Sequence, residues 1–122
     1  MNNKPSYSIF KNARYAFEGL AHAFKTETSF KLEVFFTVPI MIAIYLLPFA
    51  FSSKLALVIT LILIMIVELL NSAVENVVDL VTKEIHPLAK SAKDIGAAAV
   101  LFALVLHGVV WVMVVNNAYK LF

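Results

Sequence analysis

The sequence predicts an all-α membrane protein, with three transmembrane helices behind an N-terminal amphipathic surface helix. Three observations carry that prediction. The composition is 61% hydrophobic and 15% charged, outside the balance of a soluble domain on both counts. Three apolar runs approach or exceed the roughly 20 residues that a bilayer core demands. A further run near the N-terminus places apolar and cationic residues on opposite sides of a helix. Cysteine is absent, which excludes disulfides, thiolate metal sites and cysteine nucleophiles. The net charge is +2, with cations spread along the chain, so no nucleic-acid partner is expected. The opening Asn2, Asn3, Lys4 and Pro5 lack the apolar core and cleavage site of a signal peptide, and this segment is expected to be retained.

The chain is expected to form one integral membrane domain over residues 1–122, with the surface helix at about 6–26 and spans at about 30–50, 54–82 and 90–117. In the surface helix Phe10, Ala13, Phe17, Leu20 and Phe24 share one side, and Lys11, Arg14, Glu18, His22 and Lys25 the other. Two settings suit it: the membrane interface, or the cytoplasmic face of the protein itself. The first span follows the polar entry Glu27 to Glu33; Pro39 would bend it and Pro48 mark its end. Ser52, Ser53 and Lys54 are expected to form a tight connection that returns the second span antiparallel. Pro87 disfavours helix at His86, so the third span is expected to begin near Ala89. Within it Lys90 and Asp94 are spaced to pair, and Gly96, Ala97, Ala98, Ala99 and Ala103 offer a small-residue surface for close packing on the second span. Trp111 and Tyr119 suit an outer interface belt, and mid-span His107 an interhelical hydrogen bond. Eight cations, Lys4, Lys11, Arg14, Lys25, Lys31, Lys83, Lys90 and Lys93, flank one side, against Lys54 and Lys120 on the other. The positive-inside rule then puts the N-terminus and second loop of a multi-pass protein in the cytoplasm.

The second span changes character along its length. From Leu55 to Val67 it is apolar except for Thr60; beyond that Glu68, Asn71, Ser72, Glu75, Asp79 and Thr82 recur at intervals of three and four, one stripe on one helix face. Ionisable residues at membrane depth are costly and by default functional. Glu68 would lie inside the hydrocarbon, and Glu75 about 10 Å further along the axis at the interface, a spacing suited to two reactants meeting between them. At the cytoplasmic boundary Glu27, Glu75, Asp79, Glu84, Lys93 and Asp94 share one shallow layer. Carboxylates beside lysine at a water boundary suggest a magnesium-bound phosphate, since Mg²⁺ takes one or two carboxylates together with substrate phosphates. Lys93 would add a point charge. A carboxylate in an apolar setting is a competent general base, so Glu68 suits attack of a lipid hydroxyl on a γ-phosphate, with Asn71 orienting either reactant. Neither a Walker-type loop nor a protein-kinase signature is present.

The run Glu68-Leu69-Leu70-Asn71-Ser72-Ala73-Val74-Glu75-Asn76-Val77-Val78-Asp79, followed by Ala92-Lys93-Asp94-Ile95-Gly96-Ala97-Ala98-Ala99-Val100, resembles the prokaryotic diacylglycerol kinase family, and the likeness extends through the surface helix and Glu27. The resemblance implies ATP-dependent phosphorylation of diacylglycerol to phosphatidic acid, with Mg²⁺, in a homotrimer whose sites are shared between subunits. It implies Glu68 as general base, Glu27 and Glu75 as metal ligands, and Tyr15, Asn71, Glu84, His86, Lys93 and Asp94 in nucleotide binding or catalysis. Phe30, Glu33 and Ala97 join Glu68 on the lipid side. Ser8 stands where the diacylglycerol branch often carries an arginine, a part that would pass to Lys11 or Arg14. The runs Phe24 to Glu27 and His86 to Lys90 resemble the undecaprenol kinase branch instead, whereas Glu33 and Ile95 to Val100 lean toward diacylglycerol.

Plainer readings stand beside these. Glu68 alone would serve as interhelical polar glue, Glu27 as a local cap, Asp79 and Glu84 as solvated charges, and His86 as a loop residue. A proton or ion conductor would use the stripe as a relay, but the stripe stops halfway along the span. A non-enzymatic assembly subunit would leave the cytoplasmic carboxylates and lysines unused.

Overall fold

The computed structural model describes residues 8–122; Lys4 of the cation count, the Asn2 to Pro5 opening and the first two positions of the expected surface helix lie outside the described residues. Four helices follow in order: α1 (Ile9–Thr26), α2 (Thr28–Leu46), α3 (Phe51–Val81) and α4 (Pro87–Tyr119). The last three are long and apolar enough to cross a membrane, and the protein is a multi-pass membrane protein. At about 1.5 Å per residue, α3 and α4 run to about 46 and 50 Å, well beyond a hydrocarbon core of about 30 Å, so one end of each stands clear of it.

Helix α1 starts on Ser8, whose Oγ accepts from the Lys11 amide at 3.5 Å, the usual use of serine at a helix start. Ser8 therefore has a local structural task at the position where an arginine was sought. Phe10, Phe17, Leu20 and Phe24 are all exposed, and Ala23 is the one buried residue of the helix. Among the described residues this apolar face is left largely uncovered. A single residue, Glu27, separates α1 from α2; it has extended backbone and makes no side-chain cap.

Helix α3 is the central element. It packs on α2 along one side and most extensively on α4 along the other. The core gathers Ile44 of α2, Leu57, Leu61 and Ile64 of α3, and Ala103 and Val114 of α4. Most other apolar side chains of α2 and α4 face outward, as expected where lipid or another subunit is the neighbour.

Several ends differ from expectation. Helix α2 stops at Leu46 because Leu47 precedes Pro48 and is driven to extended backbone. The connection is therefore 47–50, and Ser52, Ser53 and Lys54 form the first turn of α3. Lys54 Nζ donates to the Tyr45 carbonyl at 2.8 Å, satisfying an acceptor that the end of α2 leaves open. Helix α4 begins at Pro87 itself. Proline suits the first helical position, where its missing N–H is no loss, and His86 caps it, Nδ1 accepting from the Leu88 amide at 3.1 Å. The small-residue run also divides. Gly96 and Ala103 turn inward, whereas Ala97, Ala98 and Ala99 are exposed, because a helical period of 3.6 cannot direct adjacent residues to one neighbour. Trp111 is half-buried and donates to His107.

Candidate active site

The stripe on α3 faces inward. Glu68, Asn71 and Ser72 are buried, Glu75, Asp79 and Thr82 half-buried, and Leu70, Val74 and Val77 exposed. Glu68 is only 6% exposed, and among the described residues no lysine or arginine pairs with it. Instead it lies within electrostatic reach of Glu27 and Glu75, and Glu33 within reach of Glu68. Four carboxylates thus converge from the α1–α2 junction, the first turns of α2 and the centre of α3. Mutual repulsion without a paired cation is costly and favours a site that takes up a cation or a proton.

Asn71 ties the cluster to α4. Its Nδ2 donates to Glu75 Oε1 at 3.3 Å, while its buried Oδ1 has no partner and lies against Gly96, where an added Cβ would come within 2.1 Å. Glycine is required here for close approach, not for an unusual backbone angle. Among the described residues Glu33 Oε2 is the other buried acceptor without a donor. Beside it Phe30 is buried at the start of α2. Ala97 does not join Phe30, Glu33 and Glu68 within one chain: it is exposed on α4, and α2 and α4 share little contact.

Two openings flank the cluster. Between α1 and α3 lies a mostly apolar groove of about 540 Å³, with Leu20, Ala23, Leu69 and Ala73 among its walls and Glu27 on its rim. Where α3 ends and α4 begins, the 82–86 loop encloses a second opening of about 320 Å³, lined by Asp79, Lys83, Glu84, His86, Lys93 and Asp94. Lys93 Nζ pairs with Asp79 Oδ1 at 2.8 Å, and Lys90 pairs with Asp94 as its spacing predicts. The residues sought for a nucleotide therefore fall in two groups. Glu84, His86, Lys93 and Asp94 share the loop opening, whereas Glu27 and Glu75 belong to the carboxylate cluster, and Lys93, within electrostatic reach of Glu75, lies between them. Tyr15 is on neither wall; it is exposed on α1 with the Arg14 guanidinium over its ring at 5.8 Å.

Lys83 and Lys90 also line the loop opening and were not among the residues singled out for the site. Charge near a helix end, and for Lys90 its spacing to Asp94, is the sequence signal they carry, and most such charges are merely solvated. The Lys93–Asp79 pair is about two-fifths exposed on each side, so solvent screens it and its direct contribution to stability is small. Asp79→Asn is accordingly expected to leave the melting temperature in detergent within a few degrees of the parent. A large drop in calorimetry would assign the pair to structure.

Among the described residues no group of three or more His, Asp or Glu could hold a metal ion by itself. Glu27 and Glu75, both half-buried oxygen donors, do suit a magnesium ion that completes its shell with water and phosphate oxygens.

The prokaryotic diacylglycerol kinase model matches residues 14–115. The chain is similar to the diacylglycerol kinase of Haemophilus influenzae, 39% identical over 109 residues that cover 84% of this chain and 87% of that one. It is likewise similar to that of Escherichia coli K12, 39% identical over 112 residues covering 90% and 91%. The Synechocystis diacylglycerol kinase is 43% identical over 99 residues, covering 80% of this chain and 57% of that longer one. With a family match across both the carboxylate stripe and the Lys93–Asp94 segment, the chain belongs to the prokaryotic diacylglycerol kinase family of lipid kinases.

Proposed function

We propose that the protein transfers the γ-phosphoryl group of ATP to the hydroxyl of diacylglycerol, yielding phosphatidic acid and ADP at the cytoplasmic face of the inner membrane. The observation that carries this reading is the buried carboxylate of Glu68, which pairs with no lysine or arginine among the described residues, on a helix that also walls an apolar groove and, further along, a cation-lined opening. Glu68 takes the hydroxyl proton as the lipid oxygen attacks phosphorus and the bond to the β,γ-bridging oxygen breaks. Glu33 Oε2 and Asn71 Oδ1, the two acceptors without donors, suit the lipid hydroxyl and the atoms around it. Glu27 and Glu75 would hold Mg²⁺, which when bound offsets the charge of the phosphates. Lys93 supplies a fixed positive charge, and His86, whose Nδ1 is spent on the α4 cap, keeps Nε2 for the opening. Tyr15, Glu84 and Asp94 complete the nucleotide side.

The separation of Ala97 from Phe30 and Glu33, and the uncovered apolar faces of α1, α2 and α4, favour a homotrimer in which one subunit completes another's site. The cation balance favours a cytoplasmic N-terminus. Undecaprenol is the alternative acceptor.

The test is phosphoryl transfer from labelled ATP in mixed micelles, with diacylglycerol and undecaprenol offered separately, with and without Mg²⁺. Label entering diacylglycerol only with Mg²⁺ present is the expected result. Label entering undecaprenol alone would retain the chemistry and replace the substrate; label entering neither, in folded protein, would sink the proposal. In the same assay Lys93→Met is expected to lose about tenfold or more in kcat/KM for ATP through the missing charge-assisted contact, with the KM for lipid unchanged.

A further inference from the structure

About two turns beyond Glu68 along α3, away from the carboxylate cluster, α3 and α4 are joined by a second polar contact. Thr60 Oγ1 and His107 Nδ1 are 2.7 Å apart, and Trp111 Nε1 donates to His107 Nε2 at 2.9 Å. An indole N–H can only donate, so Nε2 accepts, the proton sits on Nδ1, and the neutral ring donates to Thr60 Oγ1. The Thr60 hydroxyl is left to donate to the Ala56 carbonyl at 3.0 Å or that of Leu57 at 3.2 Å. Every polar atom of this buried chain is used.

Its position matters more than its presence. Thr60 lies eleven residues before Asn71 on α3, and His107 eleven after Gly96 on α4. The Thr60–His107 and Asn71–Gly96 contacts therefore belong to one antiparallel register. That register also sets Ile64 opposite Ala103, both in the core, and Val67, packed against that core, opposite the half-buried Val100. The seam thus advances by three and four residues on both helices, as in a coiled coil. Between its two polar contacts it is apolar with small residues, and such a seam resists sliding poorly. A slip of one turn would leave His107 and Thr60 unpaired in hydrocarbon, which is costly, and would set a side chain other than Gly96 against Asn71.

We propose that the Trp111–His107–Thr60 chain is the register pin of α3 against α4, making His107 a positioning residue that holds Asn71, and with it Glu68 and Glu75, in productive geometry. This rests on the kinase reading only for its consequence in rate; the register itself is testable without activity. The chain has no cysteine, so Val67→Cys with Val100→Cys reports the register by disulfide yield.

His107→Leu removes both ring nitrogens while filling the space with an apolar group, and His107→Gln returns a donor and an acceptor. His107→Leu is expected to lower kcat by on the order of 10- to 100-fold, the scale of a misplacement of about 1 Å, with KM for ATP little changed. The 67–100 disulfide yield should fall with it. His107→Gln should recover most of both, and Thr60→Val combined with His107→Leu should be no worse than His107→Leu alone. An unchanged kcat in His107→Leu would overturn the proposal, as would a reduced kcat with an undiminished disulfide yield. Should the parent transfer phosphate to neither lipid, the kinase reading fails while the disulfide yield still decides the pin.

Discussion

Glu68→Gln is expected to reduce phosphoryl transfer by about 10²- to 10⁴-fold, the usual worth of a positioned general base. The substitution keeps the size of the side chain and removes only its basicity. Folding should not suffer: the carboxylate is 6% exposed, has no paired cation among the described residues, and lies within reach of Glu27 and Glu75. A neutral amide relieves that repulsion, so the variant should melt at or above the parent temperature. Binding of Mg-ATP should persist, since Glu27, Glu75 and Lys93 remain, and nucleotide titration by calorimetry can check this separately from turnover. Loss of transfer with retained nucleotide binding and retained fold is the signature of a base. Parallel loss of folding would make Glu68 interhelical glue, and transfer within about tenfold of the parent would exclude it as the base.

Gly96→Ala should have the second-largest effect, and by a different route. The new methyl would come 2.1 Å from Asn71 Oδ1 and 3.2 Å from Asn71 Cγ. Either the amide rotates away from Glu75 or α4 retreats from α3. Overpacking of this kind costs about 1–3 kcal/mol, and moving Asn71 also displaces the group between Glu68 and Glu75. Stability and activity should therefore fall together. Adding Asn71→Ala removes the clash, and the double variant is expected to regain the melting temperature of Asn71→Ala alone without regaining activity. Failure of that rescue in thermal unfolding would mean that Gly96 matters for something other than Asn71.

Much of this protein is legible from one dimension because a bilayer leaves few options. Backbone polar groups must be satisfied within each span, so long apolar runs become helices, and three-four spacing then dictates which residues share a face. The inward stripe from Glu68 to Thr82 and the Lys90–Asp94 pair follow from that alone. Helix ends were less legible, because Pro48 and Pro87 look alike in sequence yet act oppositely: one ends α2 through its predecessor, the other opens α4 from its first position. The exposed Ala97–Ala99 segment was misassigned for a related reason, since small size permits close approach but does not choose the neighbour.

What the sequence determined unaided is fold class, span count, the inward stripe and the family motif, all consequences of local spacing and hydrocarbon solvation. Only the tertiary structure decided which helices meet and in what register. It seated Asn71 on Gly96, left Glu33 Oε2 and Asn71 Oδ1 without donors, divided the nucleotide residues between two openings, and joined His107 to Thr60 and Trp111. Apart from the His107–Trp111 bond, a four-residue spacing within α4, those contacts join residues far apart in sequence and depend on helices sharing a seam. Spacing within either helix carries no information about the other.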